Sequence, residues 1–156
     1  MASRKQNKML AAGAAAPDFG LEDLEGKQRT RERPALLAFF KVSCPTCQFT
    51  MPFLQRLANG SVPIYAISQD DAESTREFHQ EFGISLPTLL DKEEENYPAS
   101  NAYGLSHVPS MFLVEADGKI SQSFMGFDKR EIERLGERLG KPPFEAGEYV
   151  PEFKSG

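Results

Sequence analysis

Apolar and polar positions change period several times along this chain, and each change marks an element. Leu36 to Phe40 is an unbroken run of five apolar residues, the pattern of a strand covered on both faces at the centre of a parallel sheet. Directly beyond it, Phe49, Phe53 and Leu57 recur at helical spacing and predict a helix with one apolar stripe. Asn59-Gly60 stops that helix. Val62 to Ile67, β-branched and apolar, predicts a second strand. Residues 72–82 predict a second helix, with Phe78 and Phe82 facing inward and Ser68-Gln-Asp-Asp71 offering its cap. Leu86 to Leu90 reads as a short strand, and Asn101-Ala-Tyr-Gly104 as the end of a short helix. Then Ser110 to Val114, the turn Glu115-Ala-Asp-Gly-Lys119 and the return Ile120 to Phe127 predict a hairpin. Asp128 caps a last helix carrying Ile132, Leu135 and Leu139 on one face, and Gly140 ends it. Alternation around Phe19 and Leu21, with a turn at Glu25-Gly26, predicts a small edge hairpin near the start. The polar stretches 28–33 and 91–96 read as solvated loops. The strand–helix–strand–helix order implies right-handed crossovers and an α/β fold with parallel strands.

The chain of 156 residues suits one domain. We divide it into a flexible arm at 1–16, a folded domain at 17–140 and an extended tail at 141–156 that contains Pro142, Pro143 and Pro151. With 40% hydrophobic and 26% charged residues it has the make-up of a soluble globule. A net charge of −5 and the lack of a basic cluster with interleaved aromatics argue against nucleic acid. No apolar run is long enough for stable membrane insertion. Arg4, Lys5 and Lys8 precede Met9-Leu-Ala-Ala-Gly-Ala-Ala-Ala16, a faint likeness to a signal peptide. Its apolar part is short and nearly all alanine, so a loose arm is the better reading. The expected compartment is the cytoplasm. The alternative is the periplasm or a membrane tether, if those residues are a trimmed or atypical signal.

The chain's only two cysteines, Cys44 and Cys47, fall where the central strand ends and the first helix begins. A helix N-terminus carries unpaired N–H groups and partial positive charge, which favours thiolate over thiol. Pro45 suits the first helical position. Cys44 is then the outer, attacking sulfur, and Cys47, one turn further in, resolves the mixed disulfide. A structural staple is a poor alternative, because so short a loop gains little and a domain of this size does not need it. Half a zinc site is also poor: only His79 and His107 remain as nitrogen donors, in no ligand spacing, and no metal is expected.

Several further fragments stand in a telling order: Ala16-Pro-Asp-Phe19 with Asp23-Leu-Glu-Gly-Lys27, Cys44-Pro-Thr-Cys47 with Pro52 beyond, Leu86-Pro-Thr-Leu-Leu-Asp91, Tyr103-Gly104, Val108-Pro109-Ser110 and Asp117-Gly-Lys-Ile120. From about Pro17 to Gly140 the chain resembles the thioredoxin superfamily, most closely the redoxin branch of TlpA-like thiol–disulfide oxidoreductases. The resemblance implies a central mixed sheet flanked by helices on both faces, with the hairpin at one edge. It implies that Pro109 is cis and faces the dithiol, that Pro52 kinks the first helix, and that the backbone of Val108 pairs with an extended partner peptide. The departures are informative. Ser43 stands where an aromatic usually precedes the first cysteine. Ala38 replaces the buried acid of thioredoxins, and Thr50 the glutamate of some TlpA-like proteins. Lys41 and His107 are left to tune the thiolate, with Thr46 and Pro45 completing the helix mouth.

The expected function is thiol–disulfide exchange with protein thiols and disulfides. The Cys44–Cys47 disulfide itself is the redox carrier, with no other cofactor. The protein is expected to act as a monomer and to draw on an upstream reductant or oxidant. Two other readings compete. A peroxiredoxin-type thiol peroxidase places Thr or Ser three residues before its cysteine, where Lys41 stands for Cys44. A copper-chaperone-like binding module uses Cys-x-x-x-Cys and a distant histidine; the spacing here is one residue short, although His107 is present.

Overall fold

The structure, a computed structural model, describes residues 8–156. Strand β3 (Ala35–Phe40) is buried at all six positions. Its side chains alternate: Leu36, Ala38 and Phe40 enter one core, and Ala35, Leu37 and Phe39 enter another on the opposite face. Two-sided cover explains the unbroken apolar run, and each fully buried Leu or Phe is worth about 2 kcal/mol.

β3 pairs in parallel with β4 (Ile64–Ser68), and β4 in parallel with β5 (Thr88–Leu90). On the other side β3 pairs antiparallel with β6 (Ser110–Val114), which pairs antiparallel with β7 (Ile120–Met125). β1 (Leu21–Asp23) and β2 (Gln28–Arg29) form the edge hairpin and join at β5. The seven-stranded mixed sheet runs β2-β1-β5-β4-β3-β6-β7. Helices α1 (Pro45–Gln55), α2 (Ala72–Phe82) and α4 (Lys129–Leu139) cover the face carrying Phe40, through Met51, Leu54, Phe78, Ile132 and Leu135. The short α3 (Pro98–Ala102), with Tyr103, covers the other. Asp71 caps α2 by accepting from Ser74 N (2.8 Å), Asp128 caps α4 by accepting from Glu131 N (3.1 Å), and Gly83 and Gly140 close them in the left-handed conformation.

Several stretches differ from the sequence expectation. Within 28–33, Gln28–Arg29 is strand β2, and Arg31 is buried. Its Nη2 donates to Pro17 O (3.1 Å) and Asp18 Oδ1 (3.2 Å), because a buried guanidinium needs partners. Within 91–96, Asp91 is fully buried and accepts from Ala99 N and Ser100 N (2.9 and 2.7 Å), so it anchors α3. The rest of that stretch makes one 3₁₀ turn, Glu93–Glu95. The returning strand breaks at Gly126 (φ +77°), leaving Phe127–Asp128 as a separate strand, β8.

The arm expected to be flexible at 1–16 is tied down over its described part. Leu10 N donates to Tyr103 O (3.1 Å), Gly13 N to Ile120 O (2.8 Å), Ile120 N to Ala14 O (2.9 Å) and Ser123 Oγ to Leu10 O (2.9 Å). The reason is the free edge of β7, whose main-chain groups need partners. Residues 1–7, including Arg4 and Lys5, lie outside the described residues. The tail also packs. Phe144 stacks edge-on against Phe53 (5.3 Å), Arg56 donates to Pro143 O and to both Glu148 carboxylate oxygens, and Val150 is buried. Its last strand, β9 (Phe153–Lys154), pairs antiparallel with β8. Among the described residues no helix is long and apolar enough to cross a membrane.

Candidate active site

The chain leaves β3 at Phe40, crosses Lys41 to Cys44 and enters α1 at Pro45. Cys44 is the N-cap of α1. Its backbone is extended (φ −86°, ψ 115°) and its sulfur accepts the N–H of Cys47 at 3.0 Å. A sulfur thus takes the place of the usual oxygen on one of the helix's unpaired donors. Pro45 at the first turn wastes no hydrogen bond, whereas Pro52, inside α1, removes one.

The approach to the cap is pinned from both sides. Val42 N donates to Asp70 Oδ2 (2.8 Å), and Gln48 Nε2 donates to Val42 O (2.9 Å). Cys44 N closes a turn on Lys41 O (3.2 Å).

Both thiols are free, and their surroundings differ. Cys44 is partly exposed; Cys47 is fully buried. Burial pushes the Cys47 thiol up well beyond the usual range, the hydrogen bond with Cys44 adds to this, and a backbone hydrogen bond with Lys41 pulls the other way. The negative charge of Asp70 adds a smaller upward push. Cys47 is therefore held as a protonated thiol behind an accessible partner. The Cys44 thiol donates to Val108 O at 3.5 Å, and the Val108–Pro109 peptide is cis, as is Arg33–Pro34.

The structure thus brings Cys44, Cys47, Thr46, Val108 and Pro109 together, with Pro109 buried and Val108 half-buried. Lys41, His107 and Val108 line a neighbouring cleft of about 320 Å³ that also touches Gln69, Tyr97 and Ser106. His107 is exposed there, with Nδ1 2.9 Å from Ser106 Oγ. Ser43 is exposed on the loop. Thr46 is buried, and its hydroxyl is engaged elsewhere: it donates to Ser155 O at 2.6 Å. Ala38 is fully buried and supplies no acid beneath the pair; Thr50, also fully buried, has a hydroxyl with no partner among the described residues. Among the described residues no three His, Cys, Asp or Glu gather closely enough to hold a metal ion.

Sequence reasoning missed Asp70 and the tail. Asp70 and Asp71 are adjacent acids after β4, and one cap needs only one of them. The second acid was the available signal: Asp71 caps α2, and Asp70 reaches across to the cysteine loop.

A mixed sheet of this order, with a Cys-x-x-Cys pair at the mouth of α1, defines a thiol–disulfide oxidoreductase of thioredoxin-like type. The chain belongs to the AhpC/TSA family, which matches residues 12–123. It is 30% identical over 135 residues to the thiol-disulfide oxidoreductase ResA of Geobacillus kaustophilus, covering 80% of this chain and 76% of that protein. Solved structures share the fold. The thioredoxin domain of a thiol-disulfide oxidoreductase from Bacteroides vulgatus superposes with a TM-score of 0.72 at 22% identity, over 83% of this chain and 97% of that one. A secreted disulfide oxidoreductase of Mycobacterium tuberculosis gives 0.63 at 20% identity, over 78% and 94%.

Proposed function

We propose that Cys44 is the attacking sulfur and Cys47 the resolving one in two-electron exchange with protein disulfides. Cys44 thiolate bonds to one sulfur of the partner disulfide, that S–S bond breaks, and the departing partner sulfur takes a proton. Cys47 then gives up its proton and attacks the Cys44 sulfur of the mixed disulfide. The second partner thiol is released, and the Cys44–Cys47 disulfide remains. The partner is reduced by two electrons and the pair is oxidised by two; run backwards, the same steps oxidise a dithiol. The redox equivalent travels in the pair itself, and a further thiol or disulfide protein must reset it.

The observation that carries this reading is the asymmetry of the two sulfurs: one is partly exposed beside Val108 O, the other buried and held protonated. The Val108 backbone, just before β6, is the proposed docking segment for an extended partner segment. Lys41 and His107, in the flanking cleft, face the partner's side chains. The protein works as a monomer on this reading, since one chain carries both sulfurs. The secreted relative favours the second of the two expected compartments, outside the cytoplasm.

The test is trapping. Cys47→Ser should accumulate a mixed disulfide on Cys44 with protein partners, and Cys44→Ser should trap nothing and lose exchange. Equal trapping by both variants, or full exchange by Cys44→Ser, would overturn the assignment.

A further inference from the structure

The tail crosses the site just described. Beyond the buried Val150, Lys129 N donates to Glu152 O (3.0 Å). Phe153 then pairs with Asp128 and Lys154 with Phe127. Gly126 makes room for this passage, since a Cβ there would lie 2.6 Å from Lys154 O. Lys154 Nζ lies 5.5 Å from the centre of the Phe49 ring on α1. One residue on, Ser155 O accepts the Thr46 hydroxyl between the two cysteines in sequence. Gly156 then presses on the proposed docking segment: a Cβ there would lie 2.0 Å from Val108 O and 3.4 Å from Pro109 Cδ. Val108 O is also the oxygen that accepts the Cys44 thiol.

We propose that residues 153–156 are an internal occupant of the partner channel, an extended strap that an incoming polypeptide must displace to reach Cys44. The inference rests on the exchange reading above, in which Val108 presents its backbone to the partner. The tip has the features of a stand-in. It is extended, its main chain pairs with β8, a carbonyl meets Thr46, and a residue without a side chain meets Val108. It is also held weakly. Residues 152–156 are all exposed, whereas the root of the tail is fixed by Phe144, Glu148 and Val150. A firm root beside a weakly held segment makes displacement local, and the attachment to that root keeps the segment near the site for return after each turnover. The channel accordingly suits a partner segment in extended form, with a small residue where it passes Val108.

The test compares the full chain with two variants, deletion of 153–156 and Gly156→Val, whose side chain cannot fit against Val108 O. Both leave the core and the cysteines intact. The measurements are the rate at which reduced protein opens the interchain disulfides of insulin, and the rate at which a bulky maleimide alkylates Cys44. Both variants should react about three- to tenfold faster than the full chain, the gain expected on removing a tethered competitor. A free Pro-Glu-Phe-Lys-Ser-Gly peptide at millimolar concentration should slow the deleted form again. Unchanged or slower rates in both variants would overturn the strap. If insulin reduction is absent from every form, the exchange reading fails; the maleimide rates still decide the strap, faster in the variants supporting it and equal rates refuting it.

Discussion

Two stretches outside the seven-stranded sheet and its helices lie across the domain, and they are held unequally. Residues 8–16 are stitched to β7 and to Tyr103 by main-chain hydrogen bonds, and Met9, Leu10, Ala14 and Ala16 pack on the core. Residues 152–156 are exposed; Glu152 to Lys154 bond to Lys129 and β8, and only Ser155 and Gly156 reach the cysteine mouth. The arm completes a sheet edge, so its loss leaves unpaired backbone and uncovered apolar surface. The tip adds only a two-residue strand to β8, and water can take the place of Ser155 O on the Thr46 hydroxyl. The arm is thus a stability element and the tip an access element, although both look like loose ends in the sequence.

The severest way to break the contrast is at Gly104. Its φ of +71° favours glycine, and a Cβ there would lie 2.0 Å from Lys8 O. Gly104→Val must both strain the backbone and push off the arm. It should cost about 3 kcal/mol or more, read by urea unfolding. A loss below about 1 kcal/mol would mean the arm is dispensable and would erase the distinction.

The root of the tail is the next place to press. Phe144 meets the Phe53 ring at 5.3 Å and the Phe127 ring at 6.2 Å. Phe144→Ala should cost about 2 kcal/mol, since part of the ring is solvent-exposed already. With its root loosened the tip should spend less time over Val108, so insulin reduction should rise together with the loss of stability. Lost stability with no rise in rate would place the root and the tip on separate tasks.

What was legible in the sequence follows the range of the interactions. β3 could be read because covering both faces forces every position apolar, from Ala35 to Phe40. The cysteine pair could be read because a helix start is written locally, in Pro45 and the spacing of Phe49 and Phe53. Cys44 as the outer sulfur and Cys47 as the inner one followed from the same few residues; that Cys44 is also the helix cap is seen only in the structure. The contacts that decide access were not local. Asp70 lies 28 residues from Val42, and Ser155 lies 109 residues from Thr46. The spare acid at Asp70 signals that it meets some donor, but nothing near it in sequence says which distant N–H that is. Arg31 was misread for the same reason: in sequence it sits among polar neighbours, and only the fold brings the carbonyls of Ala16 and Pro17 around it.

Removing 153–156 should barely touch stability. The segment forfeits the Thr46–Ser155 hydrogen bond and a short exposed ladder, together worth less than about 1 kcal/mol once water replaces them. Thermal unfolding of the deleted form should overlay that of the full chain within a few degrees. A large drop would mean that the tip is structural after all, like the arm.

The finest test is acid. Arg56 holds the Glu148 carboxylate in a two-pronged pair at 2.8 and 3.0 Å, which lowers its pKa from 4.5 to about 2, with a backbone hydrogen bond at Glu145 helping. Because the folded value is depressed, the contribution is present above pH 4.5 and is lost as pH falls towards 2. The pair lies at the surface with Glu148 half-buried, so the effect is modest and weakened by salt. Glu148→Gln should therefore melt slightly below the parent at neutral pH, and the gap should close as the solution is acidified through that window. The same acidification should leave the arm's main-chain bonds untouched, since none of them titrates. A gap that widened in acid would reverse the sign of the pair and remove Glu148 from the root of the tail.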